Sequence, residues 1–231
     1  MSHDEFPDWV ANARTGQRTS SAEMRPKQQN SPYFGYAPTT WPSITRSLLA
    51  SQPLSGPALV KAVLDSWQAI FESRLGSGFH IGREIKPNPQ IMGFLLHALI
   101  PLELAKSQPQ WRAELTAQDK DLVYKPDDTY SVEIKTSSHP SQIFGNRSFG
   151  VDNPGKGKKA KDGYYATINF EKWPKNDIRL PRILLVRYGW LDHTDWVAQS
   201  AQTGQQSSLP ADVDNKQLLI VYDGKSEEAL F

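Results

Sequence analysis

The sequence predicts a mixed α+β protein in which a central β-sheet is flanked by helices. Three observations predict it. Two segments in the first half of the chain carry apolar residues at helical spacing or continuously over helical length. Five later runs rich in Val, Ile, Tyr and Phe are each bounded by Pro, Gly or polar clusters. Between the last two of these runs lies a polar segment of helical length that a glycine stops.

Each element follows in order. Residues 1–40 are polar, with Gly, Pro, Gln and Ser among isolated aromatics, and read as a flexible N-terminal arm. "PSITRSLLASQ" (Pro42–Gln52) reads as a short helix capped by Ser43. In "SGPALVKAVLDSWQAIFESRL" (Ser55–Leu75), Val60, Val63, Leu64, Trp67, Ile70 and Phe71 recur at three- and four-residue steps, and Gly76 and Gly78 are expected to end the helix. "NPQIMGFLLHALIPLELAKS" (Asn88–Ser107) is apolar almost throughout, which suits a helix buried against a sheet, kinked or divided by Pro101. His97, among Phe94, Leu95, Leu96, Leu99 and Ile100, reads as a core histidine. The strands are "KDLVYK", "YSVEIKTS", "GYYATINFE", "RILLVRYGWL" and "KQLLIVYD", with a helix expected over "DWVAQSAQTGQQ" (Asp195–Gln206). This organisation gives one domain over 41–231, helical over 41–107 and sheet-bearing over 108–231.

Bulk properties narrow the function. The chain has 231 residues, 38% hydrophobic and 22% charged, with 17 prolines and a net charge of +1, so an acidic polymer must be held by local clusters. There is no cysteine, which excludes disulfides and thiolate metal sites. The N-terminus lacks the apolar core of a signal peptide and no run reaches membrane-spanning length, so a soluble cytoplasmic protein is expected, with no membrane partner.

The chemistry concentrates in "KDLVYKPDDTYSVEIKTSS" (Lys120–Ser138). Side chains two apart on a strand share a face, so Glu133 and Lys135 point one way and Ile134 the other. Pro126 disfavours a tight two-residue turn. A loop over Lys125–Thr129 sets Tyr124 against Tyr130 and Asp121 against Glu133. Asp121, Glu133 and Lys135 then converge on one face. Two close carboxylates repel unless a cation sits between them, and oxygen-only ligation suits Mg²⁺, with the Ile134 carbonyl as a further ligand. Such an ion lowers the pKa of a water and neutralises charge developing on a phosphoryl group, while Lys135 orients that water or helps remove its proton. The constellation fits phosphodiester hydrolysis. A surface hairpin with a cross-strand ion pair is the plain structural alternative.

"DLVYKPDD" and "YSVEIKTSS" resemble the PD-(D/E)xK nuclease superfamily. Together with "IGREIKPNPQIMGFLLHALIPLELA", "IFGNRSFG" and "GWLDHTDWVAQSAQTGQQ", the stretch from about Ser31 to Tyr222 resembles the ScaI-type family of type II restriction endonucleases. The resemblance implies a restriction-endonuclease-like core and a Mg²⁺-dependent homodimer that cuts a short palindrome in double-stranded DNA. It implies 5′-phosphate and 3′-hydroxyl ends. A six-base site, a blunt cut and a DNA methyltransferase that protects the host are further expectations of the family. Asp121 and Glu133 would be metal ligands and Lys135 the catalytic lysine. Asp127, the literal acid of the "PD" pair, sits at the loop tip and is the second choice; Glu103 is the candidate for an acid contributed by the preceding helix.

Downstream, Gln142, Asn146, Arg147 and Ser148 are side-chain types that read base edges, in a loop leaving the catalytic strand. Lys156, Lys158, Lys159 and Lys161 suit sequence-indifferent phosphate contact, and His139 is a further phosphate candidate. Gln199, Gln202, Gln205 and Gln206 form another polar cluster. Asp192, His193 and Asp195 read as a capping turn rather than a metal site. The helices over Pro42–Leu75, which lack catalytic candidates, are expected at the subunit interface. A repair or recombination nuclease of the same superfamily and a non-catalytic DNA-binding protein are the rival readings.

Overall fold

A computed structural model of the chain describes residues 24–150, 160–174, 179–199 and 205–226. Within these residues the chain runs through helix α1 (Trp41–Ala50), α2 (Gly56–Glu72), strands β1 (Arg74–Leu75) and β2 (Phe79–His80), and α3 (Pro89–Ser107). The strands β3 (Trp111–Ala113), β4 (Leu122–Tyr124), β5 (Val132–Ser137), β6 (Phe144–Asn146), β7 (Gly163–Phe170) and β8 (Ile183–Leu191) follow. Then come β9 (Val197–Ala198), β10 (Gln206–Ser208), the short helix α4 (Ala211–Lys216) and β11 (Leu218–Asp223).

Six strands form the main sheet in the order β11-β8-β7-β5-β4-β3. β5 and β7 pair in parallel and the other neighbours are antiparallel, so the sheet is mixed, as expected. β7 is buried at every position, which marks it as the centre of the fold. A first core lies between the sheet and helices α2 and α3, built from Leu59, Val63, Trp67 and Ile70 with Leu96, Ile100, Ile134 and Ile168. Each such aliphatic side chain contributes roughly 1.5–3 kcal/mol on burial. A second core gathers Tyr33, Trp41, Tyr165, Leu191 and Trp196. A small sheet, β6-β10-β9, stands beside it.

Capping explains the helix starts. Ser55 accepts the Ala58 N–H at 3.4 Å and Asn88 accepts the Ile91 N–H at 3.0 Å. Several expectations are corrected. Thr40, not Ser43, is the N-cap of α1, without a side-chain bond, and Pro42 occupies the first turn. α2 stops at Glu72, and Gly76, at φ 61°, serves the turn of the β1-β2 hairpin instead of a helix cap. Pro101 lies inside one continuous helix. The helix expected over Asp195–Gln206 is replaced, among its described residues, by a 3₁₀ turn (His193–Asp195) and strands β9 and β10. β10 forms on the ladder that β6 offers and β9 on that of β10: Ser207 pairs with Gly145, where a Cβ would lie 2.9 Å from the Ser207 Oγ, and with Ala198. The apolar face of α2 turns inward, with Leu59, Val60, Val63, Trp67 and Ile70 all buried. The described part of the N-terminal arm packs on the 192–196 turn. There the Arg25 guanidinium donates to the Trp196 carbonyl at 2.7 Å, and the Lys27 ammonium donates to the Asp192 carboxylate at 3.2 Å.

Candidate active site

The cluster is built at the point where β4 begins. Leu122 pairs with Val132, which is the longer-loop register, so Asp121 falls opposite Glu133. The loop between carries a 3₁₀ turn, Asp128–Tyr130, and the rings of Tyr124 and Tyr130 meet edge-on at 6.1 Å. Asp121 is held from both sides in the chain. Lys120 is buried and donates to the Asp162 carbonyl at 2.8 Å, tying the entry of β4 to the entry of β7. Gly163, at φ 132°, holds a backbone conformation that favours glycine, and a Cβ there would sit 1.9 Å from the Lys120 Nζ and displace it. Asp119 fixes the preceding turn by accepting from Arg112 at 2.7 Å and from the Leu115 N–H at 2.9 Å. The Arg112 contact and these N–H donors hold its carboxyl well below the usual carboxylate range.

Asp121 Oδ2 accepts the Ile134 N–H at 2.7 Å. The N–H and C=O of a strand residue emerge on the same edge, so the Ile134 carbonyl points to the edge that Asp121 occupies. Glu133 and Lys135 leave the strand on the face opposite Ile134, and the Lys135 ammonium donates to Glu133 Oε1. That ammonium also lies 4.6 Å from the centre of the Phe149 ring. The side chains of Glu133 and Lys135 are only 5% and 13% exposed, so their charges act in a desolvated setting. Burial, with the Glu133 charge second, pushes the neighbouring Tyr165 hydroxyl well above its ordinary range and keeps it neutral.

The donor set is two carboxylates and a main-chain carbonyl, all oxygen, with a lysine already on one acid. Among the described residues no group of three or more His, Asp or Glu is placed to hold an ion. The set therefore fits a hard divalent ion that takes its remaining ligands from water and phosphate, and does not fit a closed zinc site.

Two further acids behave differently. Asp127 turns back on its own loop, accepting the Thr129 N–H at 3.0 Å and the Thr129 hydroxyl at 2.7 Å, and these bonds lower its pKa. Glu103 pairs with Lys106 on its own helix at 2.6 Å. The helix residue that meets the cluster is His97, whose Nδ1 is 3.6 Å from Asp121 Oδ2 and whose side chain is 32% exposed. The reading of His97 as a core histidine is thus overturned. Six residues separate it from Glu103, about 240° around the helix, so the two leave α3 in different directions.

Residues 31–222 match the sequence profile of the ScaI restriction endonuclease family. The chain is also 67% identical over 224 residues to the type II restriction enzyme ScaI of Streptomyces caespitosus, an alignment covering 97% of this chain and 99% of that one. The chain belongs to the ScaI restriction endonuclease family. It is a type II restriction endonuclease, a sequence-specific endodeoxyribonuclease, as the motifs implied. No solved structure matches it. Among the described residues no helix is long and apolar enough to cross a membrane.

For a ScaI-family endonuclease the ground beyond Lys135 matters next. β5 runs out into a cleft of about 1310 Å³ lined by His97, Thr136, His139, Asn146, Arg187 and Gln206, among others. Gly93 of α3 permits the close approach of Thr136, since a Cβ there would sit 2.7 Å from the Thr136 hydroxyl. Asn146 is exposed at the end of β6, directly opposite Gln206 of β10. Ser148 is exposed, and its carbonyl accepts from Lys161. The Arg147 N–H donates to the Gln205 carbonyl at 2.8 Å, which fixes its backbone. His139 is exposed, while Gln142 is half-buried. Lys156, Lys158, Lys159 and Gln202 lie outside the described residues.

Proposed function

We propose that Asp121, Glu133 and the Ile134 carbonyl hold Mg²⁺ and that Lys135 is the catalytic lysine of a dimeric, palindrome-specific DNA hydrolase. The observation that carries this reading is the meeting of Asp121 with the Ile134 backbone one residue from the Glu133–Lys135 pair. When bound, the ion supplies Lewis-acid stabilisation of the phosphoryl oxygens and a water of lowered pKa. The residues of the chain do the rest. Glu133 and Asp121 provide the negative charge that concentrates a divalent cation on the sheet edge. Lys135 moves its ammonium from Glu133 toward a water in line with phosphorus and fixes that water's orientation. The water gives one proton to solvent, and its oxygen bonds to phosphorus as the bond to the 3′ oxygen breaks. The leaving oxygen takes up a proton from solvent, which gives 3′-hydroxyl and 5′-phosphate ends.

In this reading His139 and Asn146 face the duplex from the cleft, and Gln142, Arg147 and Ser148 meet it beside them. Lys156, Lys158, Lys159 and Lys161 contact phosphates. A palindromic site presents two scissile phosphates related by a two-fold axis, and two chains with one cluster each match that symmetry. One nuclease domain over 41–231 carries these functions behind its N-terminal arm, in the cytoplasm, where a methyltransferase protects host sites. The test is incubation with duplex DNA of known sequence and Mg²⁺, followed by sequencing of the new ends. A single repeated palindrome with 5′-phosphates, abolished by chelator, is expected. Cutting that persists in chelator would overturn the metal assignment.

A further inference from the structure

Arg187 stands opposite Thr167 in the middle of the main sheet and is 1% exposed. A guanidinium there needs a counter-charge, and Asp214 of α4 supplies it, accepting from Nη1 at 2.6 Å. Charge balance alone would leave the rest of the guanidinium without a fixed task. Instead Nη2 donates to the Ser141 carbonyl at 2.9 Å and to Asn169 Oδ1 at 3.3 Å. The other end of the same amide, Asn169 Nδ2, donates to the His139 carbonyl at 2.8 Å and to the Gln142 carbonyl at 3.0 Å. Two side chains of the sheet thus hold three carbonyls of one turn.

The turn is also closed from its own side. His139 Nδ1 accepts the Ser141 N–H at 3.2 Å and the Gln142 N–H at 2.9 Å, and the His139 N–H goes to the Ser137 hydroxyl at 3.1 Å. With Nδ1 accepting, the proton of the neutral ring sits on Nε2, as a donor on an exposed residue. This turn follows the catalytic strand directly and lines the same cleft.

We infer that Arg187 and Asn169 are positioning residues for sequence discrimination, setting the 139–142 turn so that His139 and Gln142 meet the duplex in one register. The inference rests on the proposed reading of His139 and Gln142 as DNA contacts. Arg187 suits the task because its planar fork serves Asp214 and Ser141 at once, which a lysine ammonium cannot reproduce in the same geometry.

Four variants of the full chain test it: Arg187→Lys, Asn169→Asp, His139→Ala and Gln142→Ala. Each is assayed by single-turnover cleavage of the best-cut duplex and of duplexes with single base-pair changes, with thermal melts to establish folding. Arg187→Lys keeps the charge opposite Asp214, and it carries the test should Asn169→Asp not fold. The expected result is a fall of about tenfold in the ratio of correct to altered-site cleavage in the positioning variants. A purely structural role would lower the melting temperature and leave that ratio alone. If His139→Ala and Gln142→Ala lower the ratio while the folded positioning variants hold it within twofold, the inference fails and the recognition reading stands. If all four leave the ratio unchanged, the recognition reading fails and takes the inference with it.

Discussion

Two places in the molecule hold a pair of carboxylates and a lysine, and they are built for opposite ends. In the 192–195 turn, Lys27 arrives from the N-terminal arm and pairs with both Asp192 and Asp195, whose side chains are each 3% exposed. Their oxygens are used by the protein: Asp192 Oδ2 also accepts the Ser31 hydroxyl at 2.6 Å, and Asp195 Oδ2 accepts the Asp192 N–H at 2.8 Å. Tyr33 and Trp41 cover the ammonium with their rings, at 5.2 and 4.8 Å. At the other place, Asp121, Glu133 and Lys135 all come from two neighbouring strands, beside a cleft. Identical residue types thus make a clasp in one case and the proposed catalytic cluster in the other. The lysines differ in origin: one is brought from afar to seal the acids, and one lies two residues from its acid, where the proposed function has it leave for a water.

That contrast breaks first at the proposed catalytic cluster. Glu133→Ala and Lys135→Ala should each lower the single-turnover cleavage rate by about a thousandfold, with specific duplex binding in the absence of metal kept within a few-fold. Wild-type rates in either variant would return the cluster to the status of a surface ion pair. Next in size is the choice between acids. Asp121→Ala should cost about a hundredfold, whereas Asp127→Ala, which removes only a turn cap, should cost less than about threefold. Parallel rate measurements decide it, and a larger loss at Asp127 would move the ligand to the loop tip.

His97 sharpens the comparison at a smaller scale, because it brings an imidazole from a helix to an acid, whereas the helix residue at the clasp, Trp41, lies over the ammonium. His97→Ala should raise the Mg²⁺ concentration for half-maximal cleavage by about tenfold, with His97→Gln recovering part of it. Calcium binding followed by calorimetry gives the same comparison without turnover. Equal metal affinity in wild type and His97→Ala would confine His97 to the role of a cleft wall.

What the sequence made legible follows from locality. The hairpin register was readable because Pro126 forbids the tight turn and strand parity then fixes which acid meets Glu133. The helix entries at Ser55 and Asn88 were readable as the starts of the two long apolar segments, whereas the cap expected at Ser43 is misplaced, because Pro42 already lies in the first turn behind Thr40. His97 was not, because α3 is apolar almost all round and its pattern names no face. Strands β9 and β10 were not, because small and amide residues dominate 198–206; β10 becomes a strand through pairing with β6, some sixty residues away, and β9 through pairing with β10. The clasp needed a lysine 165 residues from Asp192, a separation at which no local pattern speaks.

The smallest effect on cutting belongs to the clasp, and it should appear in stability instead. Burial pushes the Asp195 carboxyl up to about 6, against the pull of Lys27. The folded protein therefore holds this proton more tightly than the unfolded chain does. The group favours the fold fully below its unfolded value of 3.8, and that contribution is lost as pH rises through about 6. Asp195→Asn removes the titration, so its stability relative to wild type should climb between pH 4 and pH 7, by up to about 3 kcal/mol in denaturant unfolding. Lys27→Met should steepen the wild-type slope, since the acid loses the cation that limits its shift. Parallel pH profiles for wild type and Asp195→Asn would mean that Asp195 is charged and satisfied in the fold, and the two acid pairs would then differ only in where their lysine comes from.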